Sequence, residues 1–92
     1  MIMPIILIEN FMYYMNIKRF KNMYTEFKNN LMTMILTHHI VNIYMDSGEK
    51  VVIGVGGSHK SDIRFKPFGF YIKTISASIW YSYAHICKIE VY

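Results

Sequence analysis

The chain is short of the residues that carry most protein chemistry. It has one cysteine, Cys87, so no intramolecular disulfide can form, and a lone thiol fits a reducing, cytoplasmic compartment. Its six acids are Glu9, Glu26, Asp46, Glu49, Asp62 and Glu90, and no two stand at a spacing that suggests a catalytic dyad. The charged fraction is only 17%, with net charge +4, which permits a polyanionic partner without demanding one. No apolar run approaches the roughly twenty residues that cross a bilayer. Met1–Ile8 is apolar, but it is short, contains Pro4 and lacks the basic residues that precede the apolar stretch of a signal peptide. The sequence therefore predicts neither a membrane span nor a secretory leader.

Apolar residues are plentiful at 53% of 92, enough for one modest core and a single domain over 1–92. Aromatic and β-branched residues throughout exclude a disordered chain. Lysine outnumbers arginine eight to two, and Ile, Asn, Tyr and Phe are frequent. Those residues have AT-rich codons, which points to an AT-rich genome such as that of a phage, virus or mobile element.

Two patterns divide the chain. Between Asn16 and Leu36, the residues Ile17, Phe20, Tyr24, Phe27, Leu31 and Ile35 recur at helical spacing, predicting an amphipathic helix over 16–36 with Asn16 as N-cap. Residues 1–15 read as an apolar arm or strand, or as sequence ahead of a natural start at Met15. From residue 40 the period shortens to two. Val41, Ile43 and Met45 alternate with Asn42 and Tyr44, Asp46-Ser47-Gly48-Glu49 follow, and Lys50–Ile53 resume the apolar pattern. That is a β-hairpin with a reason behind it: Gly48 supplies the positive φ of a tight reversal, and Asp46 a side chain for the backbone beyond. Further strands are predicted at Ile63–Lys66, Phe70–Ile75, Ile79–Tyr83 and Ile86–Tyr92, with a turn at Ser76-Ala77-Ser78. In the last strand Cys87, Ile89 and Val91 are expected on one buried face. The predicted fold is α+β: an N-terminal amphipathic helix packed on a small, strongly bent antiparallel sheet or SH3-like barrel.

Several motifs invite chemistry. Gly54–Ser61 reads GVGGSHKS and resembles the phosphate loop GxxxxGK[ST] of nucleotide-binding proteins. His59 takes the place of the last glycine, and the alternating segment after Ser61 meets Pro67, so no helix follows. The expectation is a flexible glycine loop that touches an anion through Lys60 and His59. His38, His39, His85 and Cys87 lack the paired spacing of a zinc site, and Cys87 beside a histidine is too common to mark a nucleophile. No cofactor, metal or catalytic residue is predicted.

A denser signal lies between Lys60 and Tyr83. Lys60, Arg64, Lys66 and Lys73 are interleaved with Phe65, Phe68, Phe70, Tyr71, Trp80, Tyr81 and Tyr83. Cations track phosphates while exposed rings stack on bases, which is how small β domains hold single strands. Lys60, Arg64, Lys66 and Lys73 are the expected phosphate contacts, and Phe68, Tyr71 and Tyr81 the expected stacking rings. The simpler reading makes Phe65, Phe70 and Trp80 core residues and the lysines a solvated face.

Val41–Val55 also resembles the first motif of the Sm/Hfq-like family, a strand of form VxVYLxNG followed by a second apolar strand. Val41, Ile43, Tyr44, Met45, Ser47, Gly48 and Val51 occupy comparable places, behind a helix as in that family. Ala84-His85-Ile86-Cys87-Lys88-Ile89 resembles its second motif with the His–Ala order inverted, and the stretch from Gly56 to Trp80 is longer than the family's. The resemblance spans about half the chain and implies a ring-forming, homo-oligomeric RNA-binding module. The sequence thus predicts a non-catalytic module for RNA or single-stranded DNA. The rival expectation is a phage- or mobile-element-encoded inhibitor or adaptor that grips a host protein through exposed Tyr, Trp and Met.

Overall fold

The structure, a computed structural model, describes the backbone from Asn10 to Tyr92 and the side chains from Tyr24 onward. Helix α1 runs from Asn10 to Thr37. It begins ahead of the predicted boundary because Phe11-Met12-Tyr13-Tyr14-Met15 holds no proline or glycine to stop it. Asn16 is therefore inside the helix and is not its cap, and 10–15 are helical, not an arm. The arm reading of residues 1–9 lies outside the described residues. Leu31 and Ile35 are buried, and Tyr24, Phe27 and Met34 pack half-buried beside them, while Glu26, Asn29, Asn30 and Thr33 face out.

At the C-terminus of α1 the Thr33 and Thr37 hydroxyls donate to Asn29 and Thr33 carbonyls one turn back. The last orphan carbonyl in reach, that of His38, accepts from the Lys60 ammonium at 2.7 Å. A cation at this end of a helix also meets the negative pole of its dipole.

Six strands follow: β1 Ile40–Met45, β2 Lys50–Gly54, β3 Ile63–Phe65, β4 Gly69–Lys73, β5 Ser78–Ser82 and β6 Ile86–Val91. They form two antiparallel three-stranded sheets, ordered β2-β1-β6 and β3-β4-β5. Short 3₁₀ turns at Lys60–Asp62 and Tyr83–His85 precede β3 and β6. The β1–β2 hairpin closes as its sequence requires: Gly48 has φ 96° and donates to the Met45 carbonyl at 2.9 Å. The side chain serving the turn is Ser47, not Asp46. Ser47 Oγ accepts from the Glu49 amide at 3.4 Å, whereas the Asp46 carboxylate meets His85.

Alternation then sorts the side chains. Val41, Ile43, Val51, Ile53, Ile63, Phe70 and Ile72 point into one core shared by both sheets and α1. Phe70 is fully buried, a contribution of about 1.5–3 kcal/mol on the usual area scale. Tyr83 links the layers. Its ring lies 5.4 Å from Phe27 and 5.9 Å from Tyr24 by centroids, and its hydroxyl donates to the Lys66 carbonyl at 2.8 Å. Burial pushes the Tyr83 phenol up to about 12.

The alternation expected of β6 breaks at one residue. Tyr44 pairs with Lys88, but its neighbour Met45 pairs with Ile86, so Cys87 is the extra residue of a β-bulge. Ile86 takes the inward place beside Met45 and Cys87 is exposed, not buried with Ile89 and Val91.

Candidate functional site

The outward faces of the two sheets differ in what their charges do. On β2-β1-β6 the Glu90 carboxylate accepts the Tyr44 hydroxyl at 2.9 Å and lies 3.5 Å from the Lys88 ammonium. The Tyr44 hydroxyl foremost, with Lys88 and the Asn42 amide behind it, holds the Glu90 carboxyl below its ordinary range. Lys88 and Lys50 sit 4.6 and 5.8 Å from the Tyr44 ring centroid. On that face Lys88 has a carboxylate partner and Lys50 an aromatic one.

Strands β3, β4 and β5 contain no acidic residue of their own. Registers pair Arg64 with Tyr71 and Tyr71 with Trp80, so a cation, a phenol and an indole form one row across three strands. The Tyr71 and Trp80 rings are 4.4 Å apart at 33°, and Trp80 is 59% exposed. Lys73 and Lys66 continue the same alternation on either side of the row and are exposed. Arg64 Nη1 donates to the Ser61 and Ile63 carbonyls, which fixes the guanidinium. At one end of the row an open groove of about 670 Å³ is lined by His59, Asp62, Arg64, Lys73, Thr74 and Ser76.

Of the seven residues singled out from sequence, Arg64, Lys66, Tyr71 and Lys73 come together on this face. Phe68 stands beside it, half-exposed, with its ring edge-on to Tyr24 at 5.8 Å. Tyr81 turns the other way. Its ring stacks on Phe70 at 5.2 Å and its hydroxyl donates to Glu49 at 2.7 Å; burial and that carboxylate push it up to about 12. Lys60 is engaged by the helix terminus.

Trp80 was missed because the hairpin turn sits at Thr74–Ala77, not at Ser76-Ala77-Ser78. Thr74 Oγ accepts from the Ala77 amide at 3.0 Å and donates to its carbonyl at 2.8 Å, clamping the shorter reversal. Threonine placed three residues before alanine was the available signal. A loop of two residues between Thr74 and Ala77, in place of three at Ser76–Ser78, exchanges the faces of Trp80 and Tyr81.

The glycine loop is neither a phosphate loop nor loose. The amides of Gly54, Val55, Gly57 and Ser58 donate to the carbonyls of Ser58, His39, Gly54 and Val52 at 2.8–3.2 Å. Four of the loop's amides are thus turned inward, and a strand follows the short turn at Lys60–Asp62 where a helix would be required. Gly57 fits because a Cβ there would lie 2.2 Å from the Val52 carbonyl oxygen. His85 Nδ1 is 2.8 Å from Asp46 Oδ2 in an exposed pair, and among the described residues no group of three His, Cys, Asp or Glu converges as for a metal. Among the described residues no helix is long and apolar enough to cross a membrane. Comparison with known family models, curated proteins and solved structures found no match to this chain.

Proposed function

We propose that this protein is a non-catalytic module that holds single-stranded RNA or DNA across the outward face of β3-β4-β5. One observation carries the reading: exposed Arg64 and Trp80 flank half-buried Tyr71 in one row, beside Lys66 and Lys73, across strands that themselves contain no acidic residue. Trp80 offers a base the larger platform, with Tyr71 bracing it from behind, and the cations follow the phosphates. The groove lined by His59, Arg64 and Lys73, with Asp62 as its one carboxylate, opens off the sheet at the end of the row. The pairing of exposed aromatics with unmatched cations favours unpaired bases over a duplex, whose rings are hidden in the stack.

The strand order supports a finer reading of the fold as an SH3-like small barrel. The last strand returns to β1 after a 3₁₀ turn, and the two sheets share one core. In that reading the Val41–Val55 hairpin and the Ala84–Ile89 segment fill the places that the Sm/Hfq resemblance gives them.

The test is anisotropy of labelled oligo-U and oligo-dT of about ten nucleotides, titrated with full-length protein over a salt series. Wild type should bind both better than duplex, with log affinity falling linearly in log salt. Lys66→Glu/Lys73→Glu should bind weakly and with a shallower slope. Equal affinity and slope in the double variant would sink the proposal. A stoichiometric host protein recovered with the tagged chain, with no nuclease-sensitive material, would favour the adaptor reading in its place.

A further inference from the structure

A second surface lies on the same hairpin but along its edge. Thr74 donates its amide to the Ala77 carbonyl at 2.8 Å, and Tyr83 donates to Phe68 at 3.0 Å. These bonds set the phase of the β4–β5 ladder. Ile79 and Tyr81 direct their backbone groups at β4, while Ser78, Trp80 and Ser82 direct theirs away from it. Among the described residues no strand pairs with that side of β5.

The other edges are shielded. The glycine loop folds back on β2 through the Ile53–Ser58 bridge, β3 is three residues long, and β6 carries Lys88 and Glu90. β5 reads Ser-Ile-Trp-Tyr-Ser, with no charge, proline or bulge to repel an incoming strand. Two recesses flank it. One of about 460 Å³, on the outward side, is lined by Pro67, Phe68, Trp80 and the stem of Lys66. The other, of about 350 Å³, lies between β5 and the β1–β2 turn and is lined by Met45, Ile79 and Tyr81 with Asp46, Glu49 and His85, where neutral Tyr81 occupies one oxygen of Glu49 and exposed His85 one oxygen of Asp46.

We propose that the open edge of β5 receives an extended, basic segment of another protein, added to β3-β4-β5 as a fourth strand. Side chains of an added strand alternate between the faces. Apolar ones meet Phe68 and Trp80. Those on the opposite face lay an aliphatic stem on Met45 and Ile79 and carry a positive head to Asp46 and Glu49. The carboxylates select lysine or arginine there and repel a polyanion, which also lacks the amide ladder the edge demands. This site is thus separate in chemistry from the nucleic-acid face, though Trp80 contributes its ring to one and its backbone to the other.

Trp80 is the only tryptophan in the chain, so its fluorescence reports on the edge directly. The probes are end-blocked peptides alternating valine with lysine and valine with glutamate, each titrated into full-length protein, with amide hydrogen exchange read at each end point. The Val-Lys peptide should bind saturably and slow exchange at Ser78, Trp80 and Ser82, and the Val-Glu peptide should do neither. Asp46→Asn/Glu49→Gln keeps the hydrogen bonds of both residues and should weaken the Val-Lys peptide tenfold or more, on the order of a fully used charge pair. Lys73→Glu alone, at a position outside both recesses, should weaken oligonucleotide binding and still bind the peptide, so the two losses are read independently. Equal binding of both peptides, protection confined to other strands, or an edge already protected by a second copy of the chain at micromolar concentration would each overturn the proposal.

Discussion

Replacing Trp80 by alanine separates recognition from folding. The ring is 59% exposed and its intramolecular ring partner is Tyr71 at 4.4 Å, so the fold loses only a cross-strand pair, about 0.2–1 kcal/mol. A stacked base is worth about 1–3 kcal/mol, which at about 1.4 kcal/mol per decade weakens Kd some five- to 150-fold. Tyr81→Ala is the matched control one residue along. It removes a half-buried ring stacked on Phe70 and the hydrogen bond to Glu49, costing about 1–3 kcal/mol of stability, short of the roughly 3–5 of a fully buried ring. Anisotropy with labelled oligo-U, beside thermal melts followed by circular dichroism, measures both quantities on both variants. Trp80→Ala should lose affinity at nearly unchanged melting temperature. Tyr81→Ala should melt early and, below its transition, bind almost as wild type. The reasoning fails if Trp80→Ala binds within about a factor of two of wild type, or if Tyr81→Ala proves the variant that loses affinity while keeping its stability.

Lys60→Met removes the clasp on the helix terminus, which should cost about 1–2 kcal/mol and lower the melting temperature by several degrees, without changing the salt slope of oligonucleotide binding. Gly69→Ala places a Cβ 2.3 Å from the Tyr81 carbonyl oxygen, forcing β4 and β5 apart; a loss of about 1–3 kcal/mol is expected in urea titrations. Tyr81 and Tyr83 rise from 10.0 to about 12 in the fold, so the folded state holds their protons more tightly than the unfolded chain. The stability they confer is whole below pH 10 and is lost as pH rises through 12; urea midpoints should fall over that window, and less steeply in Tyr83→Phe.

What was legible in the sequence is what is local. The stripe Tyr24–Phe27–Leu31–Ile35 fixes the packed face of α1, and Gly48 between two alternating runs fixes the first hairpin, because period and turn chemistry act within a few residues. The misplaced features depend on partners distant in the chain. Lys60 looked like a phosphate ligand until the fold brought it to His38, and the Gly54–Ser58 amides looked free until the loop folded back on β2 and His39. A bulge such as that at Cys87 arises where two strands must keep their apolar faces together despite one surplus residue, and nothing in β6 alone announces it. The site was half legible for the same reason. Arg64, Lys66, Tyr71 and Lys73 follow from alternation within their own strands, whereas Trp80 joins them only once the Thr74–Ala77 turn sets the register.

The distribution of acids is the further reason to look to β3-β4-β5. Each sheet has an outward face rich in cations and rings, and the chain has carboxylates to match them. It places Glu90 among Tyr44 and Lys88 on one sheet, and Asp46 and Glu49 along the edge of β5. None lies within β3, β4 or β5, and Asp62, in the turn before β3, shares a groove with Arg64 and Lys73, one carboxylate beside an excess of cations. Like charges held on one face without a counter-charge raise the energy of the folded state, a cost that screening reduces and that a polyanion removes. Matching them would have needed only an acid at Ser78, an exposed outward position at the start of β5. A surface that keeps an excess of cations where matching is so simple is the ground for the proposal that its counter-charge comes from outside. The exposed indole at its centre makes unpaired bases the chemistry that fits.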